Sequence, residues 1–247
     1  MKKLRIDRLL VESGIAETEA KAKALVMSGV VIVDNKRVEK PSEIFVRDKT
    51  IRLKGEEDRI KFVGRGGLKL EKALDVFNIC VSGYVCLDIG ASTGGFTDCL
   101  LQNGAKKIYA VDAGTNQLVW KLRNDERVVV REKTNARYLE PEDFDDKFDL
   151  IVIDVSFISI RKLFSAIKPL MRPEGKIIAL IKPQFEVGRD EVEKGGVVRD
   201  NKKHEQVIIE INTFANKIGF QVEGITDSPI LGAAGNKEFL VKYGKRQ

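Results

Sequence analysis

The chain has 247 residues, 43% of them hydrophobic and 32% charged, and its net charge of +6 lies entirely within residues 1–69. This composition is typical of a globular protein with an apolar core. No apolar run approaches the ~20 residues of a transmembrane helix, and no apolar segment follows the N-terminus as in a signal peptide. The three cysteines have no metal-ligand spacing, so we expect reduced thiols in a cytoplasmic protein with no bound metal.

The first sixty residues predict a compact α+β module. Apolar spacing favours helices over residues 5–13 and 18–28, and short strands over 30–33 and 50–53. The pair Asp34-Asn35 predicts a turn, because both residue types tolerate left-handed backbone. The excess positive charge of this region indicates a module that binds a polyanion, although a basic solvated surface would have the same composition.

The order of two helices followed by Met-Ser-Gly-Val-Val-Ile-Val-Asp-Asn at residues 27–35 resembles the RNA-binding domain first described in the fourth small-subunit ribosomal protein. Glu19 replaces the usual Arg of that family and removes one phosphate contact. Asn35 replaces the usual Gly, a mild change because Asn visits the left-handed region. The resemblance implies RNA-binding residues at Lys2, Lys3, Arg5, Arg8, Lys21, Lys23, Lys36, Arg37, Lys40 and Arg65.

The glycine-rich sequence Gly64-Arg65-Gly66-Gly67 predicts a linker over 61–67, between a module at 1–60 and a second domain at 68–247. In the second domain strands and helices alternate, which predicts a Rossmann-like, doubly wound α/β sheet with an antiparallel ending. A turn is expected at Pro173-Glu174-Gly175. Strands are expected at 85–88, 107–112, 127–131, 148–154, 176–182, 220–227 and 237–243. Helices are expected at 68–79, 95–103, 116–124, 160–170 and 202–218.

A glycine-containing loop, residues 88–97, follows the first strand of this domain, and Asp112 ends the second strand 22 residues after Gly90. The loop matches neither Gly-x-Gly-x-x-Gly nor a P-loop. A carboxylate at Asp112 can accept hydrogen bonds from both hydroxyls of a ribose. The alternative is a tight strand–helix turn without a ligand. The pattern resembles motifs I and II of S-adenosylmethionine methyltransferases, which implies cofactor contacts at Asp88, Gly90, Ala91, Ser92, Thr93, Gly94, Phe96, Thr97, Asp112, Asn135 and Asp154.

Four charged residues form the candidate catalytic set. Asp154 and Lys182 end neighbouring strands, where ligands of open α/β sheets bind, while Lys69 begins a helix and Glu238 begins the last strand. Each residue alone would more often be structural. Together they resemble the Lys-Asp-Lys-Glu tetrad of FtsJ-type ribose 2′-O-methyltransferases.

The whole chain resembles the TlyA family of ribosomal RNA 2′-O-methyltransferases, some of which carry the name haemolysin. The matching segments are Arg65–Leu70, Asp88–Thr97, Asp154–Ser159, Lys182–Glu186 and Gly235–Phe239. The resemblance implies methyl transfer from S-adenosylmethionine to a cytidine ribose of ribosomal RNA, in the ribosome or its subunits. We separately expect a monomer that does not bind membranes. We expect Lys182 to act as the base with help from Lys69, Asp154 to orient Lys182, and Glu238 to position Lys69 or the ribose.

Other functions remain open at this point. A noncatalytic RNA-binding or ribosome-assembly factor would keep the same fold, and a membrane-lytic haemolysin would fit the name of some relatives. Base-directed amino methylation is disfavoured, because Asp154-Val155-Ser156-Phe157 lacks the Pro-Pro motif of such enzymes. The loop 187–200 is either a lid or a surface loop. His204, at a polar helix start, is expected to be a helix cap or a surface residue.

Overall fold

The computed structural model describes residues 3–13, 15, 16, 18–34, 36–46, 51–53 and 61–246. The chain divides into two compact units, Met1–Lys61 and Phe62–Gln247. Two residues singled out by the sequence, Lys2 and Asn35, lie outside the described residues. Among those described, no helix combines the length and apolar character that crossing a bilayer requires.

The first unit contains two helices, α1 (Ile6–Glu12) and α2 (Glu19–Met27), packed on short antiparallel strands. The Thr18 side chain accepts a hydrogen bond from the Lys21 N–H and caps α2, as Thr commonly does at this position. The left-handed backbone of Asp34, with φ 47°, supplies the turn that the sequence predicts. The strands are β1 (Lys3–Arg5), β2 (Val31–Val33), β3 (Lys36–Arg37), β4 (Ile44–Val46) and β5 (Ile51–Leu53). Strand β2 pairs with β3 and β5, and β1 pairs with β4.

The second unit is built on a seven-stranded sheet. Its strands are β6 (Val85–Ile89), β7 (Lys107–Val111), β8 (Val128–Arg131), β9 (Phe148–Ile153), β10 (Met171–Ile181), β11 (Phe220–Asp227) and β12 (Phe239–Lys245). Their order is β11-β12-β10-β9-β6-β7-β8, in which β6 to β10 run parallel and β12 runs antiparallel to both neighbours. The predicted doubly wound sheet with an antiparallel ending is confirmed.

Helices cover both faces of this sheet, which explains the nearly continuous apolar sequences of the central strands. One face packs against α3 (Gly66–Val76), α4 (Gly95–Gln102) and the short α5 (Trp120–Arg123), and the other against α6 (Phe164–Ile167) and α7 (Asn201–Lys217). From β6 the chain continues to β7 and β8 on one side, and it then crosses to β9 and β10 on the other side of β6. The carboxyl ends of β6 and β9 therefore border the crevice where α/β sheets bind ligands.

Three predicted elements differ in the structure. The predicted helix 116–124 is limited to α5, because the Asn116 and Gln117 N–H groups donate to the Glu132 carboxylate instead of to a helix. The predicted helix 160–170 is divided into a 3-10 turn, α6 and a second 3-10 turn. The turn expected at 173–175 is a strand irregularity inside β10, where the register with β9 shifts.

The segment expected to be a linker, 61–67, packs into the second unit from Phe62 onward. Phe62 is buried, and the Val63 N–H donates to the Asp98 carboxylate over 2.8 Å. Helix α3 already begins at Gly66. Burial of the aromatic ring and a buried hydrogen-bond acceptor hold this segment in place.

The expectation for His204 is wrong, because its side chain is buried with 5% exposure. Its Nε2 atom lies 2.8 Å from the Val198 carbonyl oxygen, and its ring packs edge-on against Phe239. Its Nδ1 atom meets no hydrogen-bond partner among the described residues. Asn236 holds the same segment by accepting from the Val198 N–H. The end of the 187–200 loop is therefore anchored beside β12.

We predict that His204→Ala lowers the free energy of unfolding by about 1–3 kcal/mol, because it leaves the buried Val198 carbonyl oxygen without its partner. Urea denaturation of the full chain measures this change. Glu205→Ala, at an exposed position on the same helix, is the matched control and should change stability by less than ~0.5 kcal/mol. Equal effects of the two substitutions would contradict the anchoring role.

Candidate active site

A cavity of about 590 Å³ opens at the carboxyl ends of β6, β7 and β9. A smaller cavity of about 180 Å³ adjoins it, and the two share part of their walls. The larger volume is within the range of small-molecule sites, and its place at the switch point of the sheet is typical of α/β proteins. The residues common to both linings are Gly90, Ser92, Asp154 and Ser156.

The loop after β6 forms the floor of this site. Gly90 has φ +84°, and a Cβ atom there would lie 2.4 Å from the Asp154 carbonyl oxygen. Gly94, with φ +103°, fits against the Leu122 side chain in the same manner. Both positions require glycine, since a side chain would be strained and would collide with its neighbours. The close packing brings the end of β6 against the end of β9.

Asp88 supports the loop from below. Its fully buried carboxylate accepts a 2.6 Å hydrogen bond from the Thr97 hydroxyl, while its Oδ1 atom meets no partner among the described residues. Burial raises the pKa of Asp88 to about 7. Asp88, Thr97 and Gly94 were predicted to bind the cofactor, but they lie outside both cavity linings. They shape the loop from positions outside the two cavities.

Asp112 lines the larger cavity with its carboxylate held by two backbone N–H groups. Its Oδ2 accepts from the Ser92 N–H over 2.8 Å, and its Oδ1 accepts from the Gly114 N–H over 2.7 Å. These bonds fix the carboxylate at the cavity wall and leave each oxygen able to accept another hydrogen bond. The site can therefore bind a pair of neighbouring hydroxyl groups.

The remaining predicted cofactor residues line the cavities. Asn135 faces the larger cavity, and its Oδ1 accepts from the Arg137 N–H. Ala91, Thr93 and Phe96 face the smaller cavity. Sequence reasoning missed several lining residues that lie outside its motifs, among them Ala113, Gln117, Thr134 and Lys162, and it assigned no role to Phe157 inside one of them. The strand-end rule could have found Ala113 and Thr134, which follow β7 and β8.

Asp154 and Lys182 meet at the shared wall of the cavities. The Lys182 Nζ lies 2.6 Å from the Asp154 Oδ1 and donates to the Ser156 Oγ over 3.0 Å. The two side chains are 11% and 19% exposed, so the pair is reachable from the smaller cavity, which both residues line. The Lys182 amino group thus contacts two residues of the β9 end at the wall of the smaller cavity.

Lys69 and Glu238 form a second ion pair, 2.6 Å long, with side chains only 9% and 2% exposed. Gly66, one helical turn before Lys69, lies against the Asp154 carboxylate. Arg65 donates to the Leu231 carbonyl oxygen over 2.7 Å and lines the smaller cavity. The first turn of α3 thus contacts Asp154 of one ion pair through Gly66 and supplies Lys69 of the other. Lys69 and Glu238 themselves lie outside the cavity linings.

The predicted RNA-binding residues of the first unit differ in their surroundings. Arg5 forms a 2.7 Å ion pair with the buried Asp7, which lowers the pKa of that carboxyl, and Arg8 lies 3.5 Å from Glu19. Both guanidinium groups are thus engaged by acids. The other predicted residues of this unit that the structure describes are all exposed, and they are Lys3, Lys21, Lys23, Lys36, Arg37 and Lys40.

Residues 62–245 match the model of the FtsJ-like methyltransferase family, and residues 4–49 match the S4 domain. The chain belongs to the FtsJ-like methyltransferase family. The two matches confirm the resemblance of the first unit to the S4 RNA-binding domain and of the second to FtsJ-type methyltransferases. The protein is therefore a methyltransferase.

Relatives of this methyltransferase match over nearly its whole length. A Bacillus subtilis protein provisionally named rRNA methyltransferase YqxC is 51% identical, over 97% of this chain and 85% of its own length. The 16S/23S rRNA (cytidine-2′-O)-methyltransferase TlyA of Mycobacterium tuberculosis is 40% identical, over 97% and 89%. A solved structure from Streptococcus thermophilus, provisionally named hemolysin, is 48% identical with TM-score 0.78, covering 100% of this chain and 90% of that one.

We predict that Gly90→Ala destabilises the methyltransferase and abolishes its activity, because the new Cβ would push the Asp154 backbone away. Gly83→Ala is the matched control: Gly83 has φ +77°, but a Cβ there would meet no described heavy atom within 4 Å. Left-handed backbone alone costs an alanine roughly 1–2 kcal/mol. Thermal melting should show a larger loss for Gly90→Ala, and methylation assays should find only Gly83→Ala active. A fully active Gly90→Ala enzyme would disprove the close-packing argument.

Proposed function

We propose that this methyltransferase transfers a methyl group from S-adenosylmethionine to the 2′-hydroxyl of a cytidine ribose in ribosomal RNA. The observation that carries the proposal is the Lys182–Asp154 ion pair at the wall between the two cavities. Relatives named as rRNA (cytidine-2′-O)-methyltransferases support the choice of substrate. The larger cavity is assigned to the cofactor and the smaller to the target ribose.

The residues of the larger cavity fit S-adenosylmethionine. The Asp112 carboxylate has unused acceptor capacity for the two ribose hydroxyls, and the glycine backbone at Gly90 allows a ligand to lie close to the end of β6. Asn135 and Thr134 would border the adenine. When bound, S-adenosylmethionine supplies a methyl group that its positively charged sulfur has already activated.

The chain's own task is to align the ribose and remove its proton. In the proposed reaction, the Lys182 amine first releases one proton to solvent and, as the neutral amine, takes the proton of the 2′-hydroxyl. The 2′-oxygen would form its bond to the methyl carbon as the bond from that carbon to sulfur breaks, and S-adenosylhomocysteine would leave. Asp154 then stabilises the resulting ammonium, which it contacts at 2.6 Å. Positioned general bases contribute roughly 10²–10⁴-fold to reaction rates. Ser156 fixes the direction of the Lys182 amine.

Lys69 and Glu238 are assigned a supporting role. Their ion pair is buried. Removing one partner of such a pair destabilises a protein, because the other charge is left buried without compensation. The pair holds the start of β12 to α3, whose first turn also contacts Asp154. In this proposal Lys69 helps Lys182 only through that shared framework.

Features beside the site favour RNA over a small substrate. Phe157 is 90% exposed, has left-handed backbone with φ 64°, and borders the larger cavity. Arg137 and Lys162 lie in the same lining. Exposed aromatic rings stack on unpaired bases, and basic groups bind phosphates, which is how proteins recognise single-stranded RNA. The exposed basic residues of the S4 domain would add phosphate contacts.

The proposal predicts a specific product. Ribosomal RNA incubated with the protein and labelled S-adenosylmethionine should gain label in dinucleotides that resist alkaline hydrolysis, because a 2′-O-methyl group removes the attacking hydroxyl. Mapping of the resistant positions then identifies the target cytidines in each subunit. Label confined to alkali-sensitive mononucleotides would indicate base methylation, and no label on any ribosomal RNA would favour a noncatalytic RNA-binding factor.

We predict that Lys182→Ala reduces methyl transfer by about 10²–10⁴-fold while leaving S-adenosylmethionine binding, measured by calorimetry, unchanged. Lys217→Ala, at an exposed position in the last turn of α7, serves as the control and should behave as the parent protein. The assay is the formation of alkali-resistant dinucleotides under single-turnover conditions. Undiminished turnover in Lys182→Ala would exclude Lys182 as the base.

A further inference from the structure

Two loops carry the proposed reaction residues, and the direct pairing of β9 with β10 does not extend into either of them. The Asp154 loop, residues 154–160, follows β9 and contains Asp154 and Ser156. The Lys182 turn, residues 182–186, follows β10 and begins with Lys182. Their strands are paired by backbone hydrogen bonds only as far as Ile153 and Ala179. Beyond that point other contacts must hold the two loops together.

Glu186 makes such a contact. Its Oε2 accepts a 2.6 Å hydrogen bond from the Ser159 hydroxyl, and its Oε1 accepts a 2.8 Å hydrogen bond from the Ile160 N–H. The side chain is only 2% exposed. Burial raises the pKa of the Glu186 carboxyl. One buried carboxylate of the Lys182 turn thus bonds two successive residues of the Asp154 loop.

Glu186 is rigidly connected to Lys182 through the turn itself. The Phe185 N–H donates to the Lys182 carbonyl oxygen over 2.9 Å, and the Glu186 N–H donates to the Pro183 carbonyl oxygen over 3.0 Å. The fixed φ of the buried Pro183 adds to this rigidity. Any displacement of Glu186 is therefore transmitted to Lys182.

Two neighbours support the same connection. Arg161 donates to the Glu186 carbonyl oxygen over 3.3 Å and lies 3.7 Å from its carboxylate. The Phe157 and Phe185 rings pack at 5.0 Å, joining the loops a second time at the surface. The Glu186 contact differs from these because it is enclosed, where hydrogen bonds are less exposed to competition from water.

We propose that Glu186 is a positioning residue for methyl transfer, holding the Asp154 loop and the Lys182 turn at the separation that brings Lys182 against Asp154 and Ser156. The inference rests on the proposed roles of Lys182 and Asp154. Catalytic groups must be held to about 0.5 Å, and a displacement of 1 Å can reduce a rate by roughly 100-fold. Glu186 touches neither cavity lining, so it acts only through its neighbours.

Glu186→Ala and Glu186→Gln test this role with the full-length protein. Alanine removes both hydrogen bonds, so kcat should fall by about tenfold or more while calorimetric binding of S-adenosylmethionine is unchanged. Glutamine keeps the bond from the Ile160 N–H. The Ser159 oxygen already accepts from the Arg161 N–H and Nε, so glutamine should restore kcat in part, to a value between those of Glu186→Ala and the wild type. Glu210→Ala is the control, because Glu210 also lies near Arg161, at 3.8 Å, without touching the Asp154 loop; it should retain full kcat.

A merely structural role would lower the melting temperature of Glu186→Ala and leave the kcat of the folded fraction unchanged, and that result would overturn the proposal. If Glu186→Ala does not fold, Ser159→Ala decides, since it removes one of the two bonds: a lower kcat supports the proposal, and an unchanged kcat rejects it. Lys182→Ala is measured alongside. Activity in Lys182→Ala rejects the proposed function itself, whereas an inactive Lys182→Ala beside a fully active Glu186→Ala rejects only the role of Glu186.

Discussion

The contact between Lys182 and Asp154 is the interaction on which the proposed chemistry depends. A lysine can receive a proton from a ribose hydroxyl only if its nitrogen is held beside that hydroxyl, and the 2.6 Å ion pair with Asp154 and the 3.0 Å bond to Ser156 provide this constraint. Both partners come from the loop after β9, whereas Lys182 follows β10. Holding these two loops together is therefore the main structural requirement of the site.

Several contacts of the fold meet this requirement together. Parallel pairing of β9 with β10 brings the two strand ends to the same edge of the sheet. Glycine at residue 90 lets the end of β6 pack against the Asp154 backbone, and α3 adds a contact through Gly66. Each of these contacts restricts the conformations of Asp154, so its carboxylate is held in one orientation before substrate binds.

Buried polar groups around the site have different tasks. Asp88 shapes the glycine loop through Thr97, and Glu186 joins two loops through Ser159 and the Ile160 N–H. Both carboxyls have raised pKa values because burial disfavours their charge. Asp112 stands apart, since its carboxylate faces the cavity and retains acceptor capacity for a ligand. Burial thus separates the groups that build the site from the groups that face it.

The sequence by itself determined the sheet, the S4-type module and the candidate set, because apolar periodicity and the motifs at strand ends are local properties of the chain. It also indicated Asp112, Asp154 and Lys182 as residues of one crevice, since parallel strands end at one edge. Only the tertiary structure decided that Lys69 pairs with Glu238, that Asp88 is buried beneath the loop, that His204 lies inside, and that Glu186 bonds the Asp154 loop. These contacts join residues 9 to 169 positions apart or depend on burial, which no local pattern specifies.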